Sequence, residues 1–420
     1  MKYIVIIGDG MADLPIPELG GKTILQAVEK PNIDYLAEKG RTGLAITVPD
    51  GYPPGSDVAN MSIFGYDPAV YYTGRSPLEA LSMGVSLHGN ELAFRTNLIT
   101  IGNADGMVGA DGPVLDDAYI VDYSGGHITS EEAKELIEAV DRELGNERFK
   151  FYPGISYRHL LVAQENYGKE LSFTPPHDIT GQKASDYFPK GNGGAQDAAA
   201  QTYLDLMAAS YNILKDHQVN QKRVSEGKLP ANCIWLWGQG NAPQFELFEK
   251  IHHKTGAVIS AVDLLKGIGI CAGLDVIEVE GATGFLDTNY KGKADAAIGA
   301  LKSHDFVFVH IEAPDECGHI GDYQKKMQAV FDLDSKIVAP LLKFAQSLDE
   351  PCQILIMPDH PTPVALKTHT NDPIPFALYD TRETNADDVP CFDEESVKCG
   401  SLGTVYAPEL AALMIKSERE

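Results

Sequence analysis

Short apolar segments that each lead to an aspartate constrain this chain more than any other feature of its sequence. Three such segments are Tyr3–Ile7 before Asp9, Phe306–Ile311 before Asp315, and Gln353–Met357 before Asp359. Apolar runs of this length are typical of buried strands, and functional side chains gather at the carboxyl ends of strands in open α/β sheets. We therefore predict that the three aspartates meet at one edge of one sheet, although they lie at opposite ends of the chain.

Histidines accompany the two C-terminal aspartates. In EAPDECGH, Asp315 and His319 are four residues apart, so one helical turn would place both on one face. MPDHP sets His360 beside Asp359, and KTHT adds His369. Each of these residues alone could be a cap, a turn residue or a core histidine. Together with Asp9 they supply three carboxylates and three imidazoles, which indicates a two-metal site with oxygen and nitrogen ligands.

Ser56 is the candidate nucleophile. In PPGSDVANMS, several turn-forming residues precede Ser56 and a helix-compatible run follows it. The hydroxyl is therefore expected at a helix start, among free backbone N–H groups that suit a phosphate. A serine of this kind beside a two-metal site points to phosphoryl transfer.

Composition excludes several classes of partner. The formal net charge of −26 over 420 residues argues against nucleic acid and against anionic membrane surfaces. It does not exclude an anionic substrate, because two divalent ions would make the pocket locally positive. No apolar stretch approaches the ~20 residues that span a bilayer, and the N-terminal run is too short for a signal peptide. Six cysteines without a CxxC pair favour a reducing compartment, so a cytoplasmic protein is expected, and Cys317 is interpreted as a bystander.

The middle of the chain differs from its ends in the pattern of its expected strands and helices. We predict a discontinuous domain, residues 1–86 with 241–420, and an inserted domain, residues 87–240. The expected elements include helices at Thr23–Lys39, Ser130–Leu144 and Tyr323–Ser347, and a strand pair within Phe149–Ala163. The α/β rhythm of the ends is expected to resume at about Cys233 with a strand at Ile234–Trp237.

Cationic and imidazole side chains in the inserted segment are candidates for contact with substrate. Arg95 and Arg158 lie in predicted strands, where a planar cation could grip a phosphate or carboxylate, although a structural salt bridge is the alternative. His127 and His159 stand beside polar residues. Outside this segment Lys293 is a weaker candidate, and His310, which has no motif, is interpreted as a surface or structural residue close to the site.

Several motifs together resemble those of the archaeal-type, cofactor-independent phosphoglycerate mutases of the alkaline phosphatase superfamily. The likeness runs almost end to end and is carried by GDGMAD, PDGYPPGSDVANMSIFGYDP, FRTNLIT, GGHITSEEA, YRHLLV, PPHDITG, GATGFLDTNYKGKAD, HIEAPDECGHIGD and MPDHPTP. The resemblance implies an α/β, alkaline-phosphatase-like sandwich with a central, mostly parallel sheet, split by an inserted α+β domain that handles substrate. Inserted-domain contacts to substrate would come from Arg95, His127, Arg158, His159 and Asp178.

The same resemblance implies a ligand set and a reaction. One metal would be held by Asp315, His319 and His369, and the other by Asp9, Ser56, Asp359 and His360. The ions would be divalent, with Mn²⁺ first and Mg²⁺, Co²⁺ or Zn²⁺ as alternatives, and 2,3-bisphosphoglycerate would not be needed. Ser56 would carry the phosphate between 3-phosphoglycerate and 2-phosphoglycerate.

Three other activities share this metal chemistry. A bacterial branch of the family has been proposed to act as a homoserine kinase, and a phosphatase or another phosphomutase would differ only in the inserted domain. The absence of a P-loop sequence weakens an interpretation that requires ATP. A non-catalytic metal-binding protein would be expected to lack Ser56 or a ligand, and the sequence retains all of them. The oligomeric state is not encoded in any motif.

Overall fold

The chain folds into two compact units. The structure is a computed structural model that describes residues 1–108, 114–164, 168–191, 193, 195–382 and 385–416. The first unit comprises Met1–Tyr72 with Gln244–Glu420, and the second comprises Thr73–Pro243. The domain limits predicted from the sequence, at 86/87 and 240/241, stay a prediction. They differ from the unit limits mainly because the helix Ser76–Ser82 packs on strands of the second unit.

The described residues form the following strands and α-helices. The strands are β1 (Lys2–Gly8), β2 (Arg41–Ile46), β3 (Leu92–Gly102), β4 (Tyr119–Asp122), β5 (Phe149–Tyr152), β6 (Arg158–Ala163), β7 (Cys233–Asn241), β8 (Gly256–Ile259), β9 (Asp275–Val276), β10 (Phe306–Ile311), β11 (Cys352–Met357), β12 (Ile374–Asp380) and β13 (Gly403–Tyr406). The helices are α1 (Ile24–Ala27), α2 (Pro31–Lys39), α3 (Ser56–Ile63), α4 (Pro68–Tyr71), α5 (Ser76–Ser82), α6 (Ser130–Leu144), α7 (Ala195–Leu214), α8 (Gln218–Ser225), α9 (Phe248–His252), α10 (Asp263–Cys271), α11 (Tyr290–Ala300), α12 (Ala313–Ile320), α13 (Tyr323–Leu333), α14 (Ala339–Ser347) and α15 (Pro408–Lys416). Within the described ranges, no helix combines the length and apolar character that a membrane crossing requires.

A mostly parallel sheet forms the centre of the first unit. Its strand order is β13-β2-β12-β11-β1-β10-β8-β9, and β12 runs antiparallel to both of its neighbours. Apolar residues of both strand faces are buried. Val307 and Val309 of β10 join the core formed with α1, α2, α11, α13 and α14, whereas Phe308 stacks on Phe64 at the end of α3, with ring centroids 4.0 Å apart. Burial on both faces explains why β1, β10 and β11 are continuous apolar runs, and it confirms the predicted α/β class with a mostly parallel sheet.

The second unit is built on an antiparallel sheet. β3 is its central strand and pairs with β4, β6 and β7, and β5 continues the sheet beyond β6. Helices α6 and α7 pack their apolar sides on one face of this sheet. The sequence predicted α6 with its actual bounds, and its capping box between Thr129 and Glu132 is present. The strand pair predicted within Phe149–Ala163 is also confirmed, as β5 and β6.

Two predicted elements differ from the structure. The single helix predicted at Thr23–Lys39 is wrong, because the chain leaves the helix after α1 and starts α2 at Pro31, whose fixed φ suits a first helical position. The Asp334 carboxylate accepts the backbone N–H groups of Asn32 and Ile33 and so caps this new start. The strand predicted at Ile234–Trp237 exists within β7, but it pairs with β3 in the second unit and does not resume the α/β rhythm of the first.

A buried ion pair fixes the loops that follow β1 and β11. Lys326 of α13 and Asp13 both have fully buried side chains, with 2.7 Å between Nζ and Oδ2. The same ammonium donates to the carbonyl oxygens of Ala12 and Thr362. Burial lowers the pKa of Lys326, but Asp13 opposes that shift. One side chain therefore joins segments from both ends of the sequence.

We expect Lys326→Met to destabilise the first unit strongly. Methionine keeps the packing but leaves the Asp13 charge buried without its cation, which typically costs about 3–5 kcal/mol. The free energy of unfolding would be measured by far-ultraviolet circular dichroism in denaturant. Lys398→Met is the matched control, because Lys398 pairs with Glu395 at an exposed position and should contribute at most about 1 kcal/mol. Equal losses in the two variants would contradict the structural role of Lys326.

Candidate active site

Three neighbouring parallel strands deliver the three aspartates to one edge of the first unit's sheet. β1 lies between β10 and β11, and all three run in the same direction. Asp9 follows β1 directly, Asp359 follows β11 after one proline, and Asp315 lies in the first turn of α12, just after β10. The order of these strands therefore brings together residues from both ends of the chain, as the sequence predicted.

Asp9, Asp359 and His360 form the first cluster of possible ligands. Their side chains are fully buried, and each offers a ligand atom within 4.8 Å of the others. His360 Nε2 lies 3.7 Å from Asp9 Oδ1 and 3.5 Å from Asp359 Oδ2. The Ser56 hydroxyl, on the first residue of α3, lies 3.2 Å from the same nitrogen. The geometry thus places the candidate nucleophile against this cluster.

Asp315, His360 and His369 form the second cluster, and His319 adjoins it. Asp315 Oδ2 is 3.2 Å from His319 Nε2, and Asp315 Oδ1 is 3.4 Å from His369 Nε2. His319 and Asp315 lie one turn apart on α12, which is the arrangement expected from their spacing. Since His360 belongs to both clusters, the two are contiguous.

The hydrogen bonds of two histidines leave their Nε2 atoms as electron-pair donors. Nδ1 of His319 lies 3.0 Å from the Lys367 carbonyl oxygen, and Nδ1 of His369 lies 3.3 Å from that of Pro54. A carbonyl oxygen only accepts, so each Nδ1 carries a hydrogen, and each ring in its neutral form has its lone pair on Nε2. These two Nε2 atoms are 3.0 Å apart. Two nitrogen atoms this close need a positive charge beside them, either a proton or a metal ion, and two imidazoles beside a carboxylate are a donor set that fits a metal ion.

The electrostatics of the clusters also favour a cation. Burial, with the neighbouring Asp359 and Asp315 charges, raises the pKa of Asp9 well above its usual value. Asp9 Oδ1 is buried and accepts no hydrogen bond. Burial likewise lowers the pKa of His360 to about 4, which keeps the imidazole neutral and able to bind a metal. A divalent ion would relieve the repulsion among these carboxylates and give Asp9 Oδ1 a partner.

A proton can take the place of a cation between Asp315 and His319. Burial lowers the pKa of His319, but the Asp315 carboxylate outweighs burial and raises it to about 9. Burial raises the pKa of Asp315, and its hydrogen bonds from His319 and His369 reverse that shift. Metal binding at this cluster must therefore displace a proton from His319.

His310 is a site residue that the sequence interpretation undervalued. It is not a surface residue, because its side chain is fully buried in β10 with Nε2 2.9 Å from Asp9 Oδ2. Its Nδ1 is 3.3 Å from the Ser260 hydroxyl, which itself accepts the Val262 N–H. Nε2–H of His310 therefore faces Asp9 Oδ2 and leaves Oδ1 for a metal. The spacing of residues in the sequence does not reveal the contact between His310 and Ser260, because Ser260 follows β8, about 50 residues before His310.

Lys293 lies behind the first cluster. Its ammonium donates to the His310 carbonyl oxygen at 3.1 Å and is almost fully buried. Burial lowers its pKa to about 8, although Glu312 acts in the opposite direction. Its predicted contact with substrate stays a prediction. The structure shows it holding the end of β10.

Two residues outside the predicted ligand set lie close to the clusters and constrain the ligands. Asn60 of α3 donates from Nδ2 to the Ser56 carbonyl oxygen and, at 2.7 Å, to Asp359 Oδ2. Gly10 has φ of 60°, and a Cβ there would lie 2.7 Å from Asp315 Oδ1. Glycine is required at this position because both the conformation and the space exclude a side chain.

Arg95 lies at the centre of a cationic group in the second unit. Its side chain is buried in β3, pairs with Glu79 of α5 and lies 5.6 Å from the centre of the Trp237 ring. Arg75 also pairs with Glu79, at 2.9 Å. The salt bridge considered from the sequence thus exists, but one carboxylate serves two guanidinium groups. Burial lowers the pKa of Arg95, with Glu79 opposing the shift.

Arg158 and His159 leave β6 on opposite faces. Arg158 pairs in register with Asn97, so it shares the sheet face of Arg95, whereas His159 pairs with Thr96. His159 is buried, its Nδ1 accepts the Gly154 N–H, and its pKa is lowered to about 3 by burial. The structure therefore does not bring these two candidates together on one face of the sheet.

His127 and Asp178 are exposed residues of connecting segments. His127 follows two glycines with positive φ and itself has φ of 49°, which is unusual for a residue with a side chain. The buried Arg223 guanidinium donates to the carbonyl oxygens of Gly125 and Gly126 and so holds this turn. Asp178 lies in the short helical turn Pro176–Ile179.

Comparison with known proteins identifies the family. A family model described as 2,3-bisphosphoglycerate-independent phosphoglycerate mutase matches residues 37–220. The protein of that name from Methanosarcina barkeri is 59% identical over 418 residues, which is 100% of both chains. This chain belongs to the 2,3-bisphosphoglycerate-independent phosphoglycerate mutase family. A probable member from Geobacter sulfurreducens is 50% identical over 403 residues, or 96% of each chain.

Solved structures agree with the family assignment. The cofactor-independent phosphoglycerate mutase of Thermoplasma acidophilum is 29% identical, with a TM-score of 0.62, and covers 99% of this chain and 100% of its own. The PH0037 protein of Pyrococcus horikoshii is 28% identical with a TM-score of 0.79, and covers 100% of this chain and 98% of its own. This chain therefore shares its fold with these two solved structures over nearly the full length of each chain.

Cys317 lies in α12, the helix that carries Asp315 and His319, but its side chain packs in the core. Its thiol is buried in the hydrophobic core of the first unit. Burial raises the pKa of Cys317 to about 12, so the thiolate that binds metals is disfavoured. The position agrees with the bystander role expected from the sequence.

Proposed function

We propose that this protein interconverts 3-phosphoglycerate and 2-phosphoglycerate without 2,3-bisphosphoglycerate, with Ser56 as the phosphate carrier. The observation that carries the proposal is the position of the Ser56 hydroxyl, 3.2 Å from His360 Nε2 at the edge of two contiguous ligand clusters. The names of the relatives support the substrate. Both Ser56 and the full ligand set of the resemblance are present in one unit.

The metal centre would hold two divalent ions. Asp315, His319 and His369 would hold one, and Asp9, Ser56, Asp359 and His360 the other. Imidazole with carboxylate suits Mn²⁺, with Co²⁺, Zn²⁺ or Mg²⁺ as alternatives. When bound, such ions activate a serine hydroxyl and neutralise charge on the phosphate.

Residues of the chain would perform the rest of the reaction. Ser56 Oγ would lose its hydrogen and form a bond to phosphorus as the bond from phosphorus to the C3 oxygen of the substrate breaks, and the C3 oxygen would gain a proton to become a hydroxyl. The phosphate would lie at the start of α3, where backbone N–H groups and the helix dipole favour an anion. The C2 hydroxyl of glycerate would then lose its proton and form a bond to phosphorus as the bond from phosphorus to Ser56 Oγ breaks, and Oγ would regain a proton. Atoms balance over the two transfers without any co-substrate.

The carboxylate of glycerate would be bound by the second unit. Arg75, Arg95 and Arg158 bring three guanidinium groups to this unit's sheet, and one carboxylate, Glu79, pairs with two of them. The excess of positive charge suits a small anion. We include His127, His159, Asp178 and Lys293 as further candidates for substrate contact.

The substrate can be tested in one experiment with three arms. Purified protein with Mn²⁺ would be given 3-phosphoglycerate alone, or homoserine with ATP, and products followed by phosphorus NMR. We expect 2-phosphoglycerate in the first arm without added 2,3-bisphosphoglycerate, because a mutase needs no second substrate. A third arm without protein corrects for spontaneous hydrolysis. Phosphohomoserine in place of 2-phosphoglycerate would support a kinase, and release of inorganic phosphate alone would support a phosphatase.

A further inference from the structure

The Thr362 side chain touches one ligand of each metal in the proposed ligand set. It follows β11 by a few residues, and its side chain is fully buried. Its hydroxyl donates a hydrogen bond to Asp315 Oδ1 and lies 3.3 Å from His360 Nδ1. Asp315 and His360 are ligands of different metals in that set. A single hydroxyl thus spans the two halves of the centre.

The direction of each hydrogen bond follows from chemistry. An ionised carboxylate only accepts, so the hydroxyl hydrogen of Thr362 goes to Asp315. Its oxygen must then accept Nδ1–H from His360. This fixes the His360 tautomer with a lone pair on Nε2, the atom that faces Asp9, Asp359 and Ser56. Without the hydroxyl, the ring would lose the contact that holds Nε2 in this orientation.

The backbone of Thr362 is held independently of its side chain. Its carbonyl oxygen accepts from Lys326 Nζ at 2.8 Å. Two residues later, the Val364 N–H donates to the Asp13 carboxylate at 3.3 Å. Gly318 of α12 also packs directly on it, because a Cβ there would lie 2.4 Å from the Thr362 carbonyl oxygen. The hydroxyl therefore projects from a rigid support, as a residue that positions others requires.

We propose that the Thr362 hydroxyl is a positioning group that couples the two metal half-sites, by orienting Asp315 for one ion and His360 for the other. This inference rests on the proposed two-metal centre. It assigns to Thr362 no contact with substrate or with metal. Loss of the hydroxyl should therefore weaken binding of both ions, while the metal ligands themselves remain.

Binding of Mn²⁺ to metal-free, full-length protein tests the proposal by isothermal titration calorimetry. We expect Thr362→Val, which keeps the shape but removes the hydroxyl, to weaken Mn²⁺ binding about 10–100-fold, as loss of a group that orients metal ligands typically does. Thr362→Ser keeps the hydroxyl and should bind Mn²⁺ nearly as the unchanged protein does. Thr42→Val is the matched control, because Thr42 is also buried in the first unit, and its hydroxyl faces Asp387.

The possible outcomes distinguish a failure of the role of Thr362 from a failure of the proposed metal centre. Two Mn²⁺ ions bound with unchanged affinity in Thr362→Val would overturn the role of Thr362 alone. Equal weakening in the serine and valine variants would overturn it too, since keeping the hydroxyl would then give no advantage. If the valine variant does not fold, Thr362→Ala against Thr362→Ser gives the same comparison by one oxygen atom. Absence of Mn²⁺ binding by the unchanged protein would overturn the metal centre itself.

Discussion

Ser56→Ala is expected to reduce mutase turnover by at least about 10⁴-fold, because removal of a nucleophile that forms a covalent intermediate leaves no acceptor for the phosphate. The fold should survive, since Ser56 is the first residue of α3 and its side chain caps nothing. Metal binding should be weakened and not lost, because Asp9, Asp359 and His360 remain. Conversion of 3-phosphoglycerate, followed by phosphorus NMR, measures the effect.

A second serine of the same helix provides the control. Ser62 is buried in α3, and its hydroxyl donates to the Val58 carbonyl oxygen inside the helix, away from the ligand clusters. Ser62→Ala should therefore keep turnover close to that of the unchanged protein. Intact-mass measurement on protein quenched during turnover should show one added phosphoryl group, which Ser56→Ala lacks. Full activity of Ser56→Ala, or a phosphoryl group on another residue, would remove Ser56 as the carrier.

The sequence predicted the edge of the sheet at which the aspartates meet because that information is local. Each of β1, β10 and β11 is an apolar run with a polar residue after its end, and parallel strands bring their carboxyl ends to one edge. The spacing of Asp315 and His319 similarly required only one turn of helix. Ser56 stood out because the residues before it form turns and those after it form a helix.

The residues that orient the ligands could not be predicted in the same way. Thr362, Asn60 and His310 are ordinary polar residues in sequence, and their roles depend on contacts between segments far apart in the chain. His310 reaches Asp9 only because β10 pairs with β1, and Asn60 reaches Asp359 only because α3 packs at the end of β11. Hydrophobic periodicity reports which residues are buried, and it does not report which neighbour a buried polar group meets.

The alternation of side chains along a strand explains why the sequence does not show which candidate residues of the second unit share one face of its sheet. Arg158 and His159 are adjacent in YRHLLV, and the sequence makes both of them candidates for contact with substrate. Successive residues of a strand, however, point to opposite faces of the sheet. The choice between them needs the register with β3, which places Arg158 beside Asn97. Glu79, which neutralises part of the charge of Arg75 and Arg95, comes from α5 and gave no signal in the sequence.

Removal of divalent metal is expected to reduce turnover by a factor similar to that for Ser56→Ala. The clustered carboxylates and paired imidazoles of the proposed metal centre would then have no cation to hold them for reaction. Asp9 Oδ1 would be a buried oxygen without a hydrogen-bond partner, and His319 would hold a proton against Asp315 in place of the ion. Exhaustive chelation followed by desalting prepares the metal-free protein. Turnover and bound metal, by elemental analysis, are measured on the same sample.

Restoration by added ions separates loss of metal from loss of fold. Mn²⁺ should restore turnover without 2,3-bisphosphoglycerate, and Ca²⁺ should not, since it prefers a shell of oxygen ligands to one that includes imidazoles. Metal-free protein should also unfold at a lower temperature, because an ion that binds only the folded state stabilises it, and Mn²⁺ should reverse this shift. Turnover that persists in protein from which all metal has been removed would rule out the two-metal centre, even if Ser56 proved to be the phosphate carrier.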